Sequence, residues 1–187
     1  MPTKAPISYH LDLYDYWLGK RGSRTMPARR DLDPGDIPAL LPYLMIVGKS
    51  HAQLRYRLVG TAVVHMIGHD ATGTAVGSYL AAPAQAAEAR AVFERVFTAA
   101  KPVFATGEFI LKSGASLALS LLPLPLSSNG TIVSVTICTL ISRFNNRHAA
   151  SRGWLKGLPV KVWDVADVSS AADLKALCLD WEQRCQP

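Results

Sequence analysis

Nowhere in its 187 residues does the chain hold an apolar run near the roughly 20 residues that a membrane-spanning helix needs. The longest candidate, Ile132 to Ile141, is interrupted by Ser134, Thr136 and Thr139 and reads as a strand, so no membrane insertion is expected. Cysteine is scarce: there are three, none in a Cys-x-x-Cys or zinc-like spacing. Cys178 and Cys185 lie seven apart on a predicted helix, about 10 Å along its axis, too far for a disulfide. Buried thiols are the expectation. No signal peptide is visible, and Arg29-Arg30 is followed by Asp31, Asp33, Pro34 and Asp36 where an export signal needs an apolar core. The cytoplasm is the expected location. There is no Walker loop, Gly-x-Gly-x-x-Gly, His-Glu-x-x-His or Gly-x-Ser-x-Gly, no internal repeat and no low-complexity tract. These absences leave no catalytic residue and no metal ligand set to name, and an enzyme is not expected.

What is present is an ordinary globular composition, 49% hydrophobic and 18% charged, at a length that suits one domain with extensions. The net charge of +6 could attract nucleic acid, anionic lipid or acidic protein. Much of it is local, in Lys20, Arg21, Arg24, Arg29 and Arg30, with Arg143, Arg147 and Arg152 later. The basic cluster lacks interleaved aromatics and no helix-turn-helix is apparent. Nucleic-acid binding, which would show steep salt dependence, therefore stands second. A small-ligand enzyme stands third, lacking a titratable cluster on the apolar stripes.

The pattern predicts a first helix from Ile7 to Lys20, with Ile7, Leu11, Tyr14 and Leu18 on one stripe, Trp17 beside it, and Gly19 and Gly22 ending it. A basic, proline-punctuated linker follows, in which Asp36 is expected to cap a short turn of helix through Leu41. Strands are predicted at Tyr43–Gly48 and Gln53–Val59. On the second, alternation puts Leu54, Tyr56 and Leu58 on one face and Arg55, Arg57 and Val59 on the other. Thr61 is expected to cap a helix from Ala62 to Ile67, with Gly68 as its left-handed stop and Asp70 to Gly73 as a closed turn. Ala84–Ala100 is the firmest helix, its stripe made by Ala86, Ala89, Phe93, Val96, Phe97 and Ala100. Strands at Val103–Leu111, Ser116–Leu124 and Thr131–Ile141 follow, separated by Gly-containing turns. Ser170 and Asp173 form a capping-box-like start to a last helix, with Leu174, Leu177, Cys178, Trp181 and Cys185 on one face. That face must be buried on this domain or on a partner. The sum is an α+β protein: a five-stranded antiparallel sheet with helices on one face, plus N-terminal and C-terminal flanking helices.

A series of blocks is more specific than any one element. In order they are Tyr16-Trp17, the segment Pro27-Ala-Arg-Arg-Asp-Leu-Asp-Pro34, Leu41-Pro42, Tyr56-Arg57-Leu58-Val59-Gly60-Thr61, Gly68-His-Asp-Ala-Thr-Gly73, and the Leu-Pro-Leu run before Gly130. From about residue 10 to 142 the chain resembles a bacterial PAS-like family of small, often single-domain proteins. His69 stands where that family more often has Arg. The run Leu122-Pro-Leu-Pro-Leu carries an extra proline, expected to disturb strand pairing. The resemblance divides the chain into an N-terminal helix and linker (1–42), a PAS-like core (43–142) and a C-terminal extension (143–187). It implies a sensory or adaptor module, binding a small molecule or a signalling protein and acting through its flanking helices, with a homodimer expected through one of them.

The ligand and any cofactor are unnamed by the residues. Some PAS domains hold haem through a histidine of this region, so His65 and His69, four apart, are open to that reading beside the plainer one of polar, cofactor-free side chains. Flavin-binding relatives carry a reactive cysteine early in the fold; here the first is Cys138, which argues against that photochemistry and leaves a non-covalent flavin open. Arg57 reads either as an ion-pair partner of Asp70 or Glu108 or as a grip for a carboxylate or phosphate. The candidate pocket is Tyr56, Arg57, Leu58, Val64, His65, Phe93, Phe97, Phe109, Leu119 and Val135, whose alternative reading is plain hydrophobic core.

Overall fold

Both faces of the central sheet are covered, and the strands show why. In the computed structural model, which describes residues 7–50, 52–112, 116–128, 133–144 and 164–184, six strands pair antiparallel in the order β2-β1-β5-β4-β3-β6. They are β1 (Leu44–Ser50), β2 (Gln53–Val59), β3 (Val103–Ile110), β4 (Ser116–Ser127), β5 (Val133–Phe144) and β6 (Asp164–Asp167). The first five are those expected from sequence; β6, from the C-terminal extension, adds a sixth on β3. Alternation along β4 puts Leu117, Leu119 and Leu121 in one apolar cluster and Leu122, Leu124 and Leu126 in the other. Such two-sided strands need cover on both faces.

Helices α2 (Thr61–Ile67) and α3 (Pro83–Ala99) cover one face, here called inner. Val63, Ile67, Ala89, Val92, Phe93 and Val96 pack there against Met45, Val47, Tyr56, Leu119 and Leu140. Gln85 is also buried on α3, its side-chain oxygen accepting the Ile110 N–H at 3.3 Å. Gly60, rather than Thr61, occupies the cap position of α2, and Gly68 ends it at φ +86° as expected. The outer face is covered by α1 (Ser8–Arg21), the linker after it, and α4 (Ala171–Arg184). The stripe of α4 is thus buried on this chain, with Leu174, Cys178 and Trp181 packed beside Tyr14 and Trp17 of α1. Each fully buried side chain of this size contributes roughly 1.5–3 kcal/mol.

Three expectations are corrected. The buried face of α1 is His10, Leu13, Tyr14 and Trp17, while Leu11 and Leu18 are half-buried. The imidazole of His10 makes this face polar in sequence and apolar only once paired: its ring nitrogens lie 2.5 Å from Thr139 Oγ1 and 2.8 Å from Ser120 Oγ. Asp36 caps no helix. Two short 3₁₀ turns stand there instead, Pro34–Asp36 and Leu41–Tyr43, the first capped by Asp33 through Gly35 N–H at 2.8 Å. Finally, the prolines of β4 do not break its pairing with β5, which runs from Leu117 to Ser127. The Pro125 carbonyl accepts the Trp17 indole N–H at 2.9 Å, so this residue's polar atoms face away from β5. Pro123, two residues earlier, faces the same way. Neither removes a bond to β5, whereas the pairing of β4 with β3 ends at Leu121; Ser127 on the same side donates its N–H to the Pro27 carbonyl at 3.1 Å.

Candidate functional site

The predicted pocket residues divide between the two faces, and a β-bulge divides them. In the β1–β2 register Val47 faces Tyr56 but Ile46 faces Leu58, leaving Arg57 as the extra residue. Alternation is reversed beyond it. Leu54 and Tyr56 stay in the inner core, Val59 rejoins it, and Leu58 turns to the outer face, where it is 44% exposed. This corrects the expectation that Leu58 shares a face with Tyr56.

On the inner face Tyr56, Phe93 and Leu119 meet in one closely packed cluster, and Val64 is half-buried on α2. The Tyr56 hydroxyl accepts the Gly77 N–H at 3.3 Å, and its ring packs on Tyr79 with centroids 5.9 Å apart. Burial pushes the Tyr56 phenol well up, so it stays neutral. Phe97 lies half-buried against both clusters with Lys49 Nζ 5.2 Å from its ring. Val135 belongs to the outer face. The backbone of Phe109 pairs with Leu117 on the sheet, and its side chain lies outside the described residues. His65 and His69 are both exposed, on either side of the Gly68 stop. Among the described residues no three His, Cys, Asp or Glu side chains group as metal ligands. Arg57 is exposed and donates to the Lys49 carbonyl at 3.2 Å, whereas the Asp70 carboxylate turns on the Thr72 N–H at 2.9 Å. The Thr72 side chain, and then its N–H, hold the Asp70 carboxyl below its usual range.

The outer face carries a cavity of about 510 Å³, within the range of small-molecule sites, roughly 300–1,000 Å³. Its floor is sheet: Leu44 and Ile46 of β1, Leu58 of β2, Leu126 of β4 and Ile137 of β5. Its wall is the linker, through Leu32, Pro34, Ile37 and Leu41, and its cations are Arg29 and Arg30. Leu58 and Leu41, at 44% and 38%, are two of the three exposed large hydrophobic residues among the described residues. The inner-face reading brought only Leu58 to this site. The apolar linker residues and the doubly apolar run Leu44-Met45-Ile46-Val47 were the available signals for the rest.

The linker is fastened to α1. Asp33 N–H donates to the Tyr16 hydroxyl at 2.8 Å, Lys20 pairs with Asp36 at 2.9 Å, and Arg24 pairs with Asp31 at 2.8 Å. Lys20 and the Ala28 N–H respectively lead in holding the Asp36 and Asp31 carboxyls below their usual range. Arg21 lies over the Trp17 ring at 5.4 Å. Two of the five N-terminal cations, Lys20 and Arg24, are therefore engaged in holding the segment, and Arg21 packs within α1. The Arg29 and Arg30 side chains make no hydrogen bond or ion pair among the described residues.

An antiparallel sheet with two helices on one face, flanking helices on the other and a cavity between linker and sheet defines an α+β domain. Residues 7–140 match the PAS domain family, and the chain belongs to it. No curated protein matches the sequence. Among solved structures, a light-oxygen-voltage domain studied with a flavin analogue is similar at 12% identity and TM-score 0.48, with 62% of this chain and 87% of that one covered. The Rhodobacter sphaeroides LOV protein is similar at 12% identity and TM-score 0.49 over 62% and 70%. VqmA bound to DPO is similar at 18% identity and TM-score 0.42 over 53% and 52%. The family assignment rests on the sequence match. No helix among the described residues is long and apolar enough to cross a membrane.

Proposed function

We propose that this PAS domain is a non-catalytic sensory or adaptor module that takes up a small molecule on its outer face and reports occupancy through the packing of α1 and α4. One observation carries the reading: the wall of the outer cavity is the same segment that is fastened to α1 by the Tyr16 and Lys20 contacts and by Arg24, which bridges Asp31 to the Lys20 and Arg21 carbonyls. A molecule entering between Leu58 and Ile37 acts directly on that segment. Because α1 shares its buried face with α4, a shift in one changes the surface of the other. A ligand stabilises whichever helix arrangement fits it, by no more than its difference in affinity for the two. The apolar stripe of α4 is already buried within the chain, so a homodimer through that stripe would require α4 to leave the sheet.

Native beside denaturing mass spectrometry of the purified protein, with an absorption spectrum of the same sample, tests the reading. A mass excess lost on denaturation, and lost also from the Leu58→Trp variant, is the expected result. A bound molecule that Leu58→Trp retains would move the site elsewhere, and a haem or flavin band would name another class of ligand.

A further inference from the structure

We propose that the outer cavity takes an unbranched amphipathic anion, a free medium-chain carboxylate, with its tail on the sheet and its carboxylate on Arg29 and Arg30. The proposal rests on the reading above that this cavity is the sensing site, and it adds the class of ligand. Two independent features of the cavity agree. Its sheet floor is mainly aliphatic, Leu44, Ile46, Leu58, Leu126 and Ile137, with hydroxyl side chains only where β4 ends, at Ser127 and Ser128. Its linker wall supplies two guanidiniums that form no ion pair with a carboxylate of the described residues, although Asp31, Asp33 and Asp36 are close in sequence. Those acids are turned elsewhere: Asp31 to Arg24 and the Ala28 N–H, Asp33 to the Gly35 N–H, and Asp36 to Lys20.

Charge complementarity selects the head group. A guanidinium binds a carboxylate through paired N–H donors, and next to an apolar wall that bond is less screened than in open water. An uncharged tail alone would leave both cations unmatched. An inorganic anion alone would leave Leu41 and Leu58 exposed. An amphiphile satisfies both. The carboxylate also ties Arg29 and Arg30 to the sheet, drawing in the linker on which α1 is fastened.

Isothermal titration of the full chain with decanoate, decanol and inorganic phosphate tests this, with anionic phospholipid vesicles as a fourth probe. Decanoate is expected to bind, and decanol and phosphate to bind at least about tenfold more weakly, since one charge-assisted contact is worth about that much. Arg29→Gln with Arg30→Gln is expected to weaken decanoate about 10- to 100-fold while leaving decanol unchanged. Both residues are exposed, so the fold is retained, which circular dichroism checks. Leu58→Trp, at the exposed edge of the floor, is expected to remove both decanoate and decanol. Equal affinity for decanol, undiminished binding in the double variant, or binding only to vesicles would overturn the proposal. The two readings fail separately. A different small molecule that leaves on Leu58→Trp, with no decanoate binding, removes the ligand class and keeps the sensing site. Arginine-dependent decanoate binding that leaves the hydrogen exchange of α1 and α4 unchanged keeps the ligand class and removes the sensing role.

Discussion

Between pH 7.5 and pH 5 acid should weaken this fold chiefly through His10. Its imidazole is fully buried on the outer face, between Ser120, Thr139 and the edge of the Phe104 ring. Burial pushes its pKa down from 6.5 to about 3. In the unfolded chain the ring takes a proton near pH 6.5; in the folded chain it stays neutral until about pH 3. Between those values the unfolded state holds the extra proton, so stability falls as pH falls. At pH 7.5 the effect is close to zero. At pH 5 the unfolded ring is almost wholly protonated, which costs the fold about 2 kcal/mol at ~1.4 kcal/mol per unit. Urea unfolding at pH 7.5 and pH 5 measures it, in the wild type and in His10→Gln, which has no proton to gain. The wild type should lose about 2 kcal/mol more than the variant. Equal losses, or a His10 ring signal titrating near pH 6.5 in the folded protein, would refute the reasoning.

Other predictions test the packing. A Cβ on Gly60 would stand 2.4 Å from the Leu41 and Pro42 carbonyl oxygens. Gly60→Ala should therefore lose roughly 1–3 kcal/mol in urea unfolding. Gly19→Ala, on α1 with nothing within 4 Å, should be neutral or gain up to about 1 kcal/mol. The β2 bulge predicts that Tyr56→Ala costs about 3–5 kcal/mol, as for other buried aromatic truncations, whereas Leu58→Ala stays within about 1 kcal/mol; similar losses at both would contradict the bulge. Trp17→Phe removes the donor to the Pro125 carbonyl and should cost about 1–3 kcal/mol, seen as a lowered thermal midpoint.

The inner half of this fold was legible in the sequence because its signals are local. Strand alternation in Gln53–Tyr56, the Phe93 and Val96 stripe, and glycines at the stop of α2 and after Asp70 each specify an element by themselves. The N-terminal blocks of the PAS resemblance were legible too, but their purpose was not. Gly60 needs no side chain because the Leu41-Pro42 backbone lies on it, a contact between segments that read separately in sequence. The outer face was harder to read for the same reason. His10 looks polar until Ser120 and Thr139, over a hundred residues away, meet it. Leu58 looks like a neighbour of Tyr56 until the register with β1 places the bulge. Arg29 and Arg30 look like part of one basic cluster until ion pairing separates them from Lys20 and Arg24. The fourth element of the outer layer, α4, announced an apolar face but not its destination, which depends on β6 docking to β3.

Hydrogen–deuterium exchange of the full chain, with and without saturating decanoate, tests most directly whether the outer cavity communicates with the flanking helices. Slower exchange in the linker, α1 and α4, with α2 and α3 unchanged, is the predicted result. Protection confined to α2 and α3, around Tyr56 and Phe93, would place the sensing site on the inner face and contradict the account.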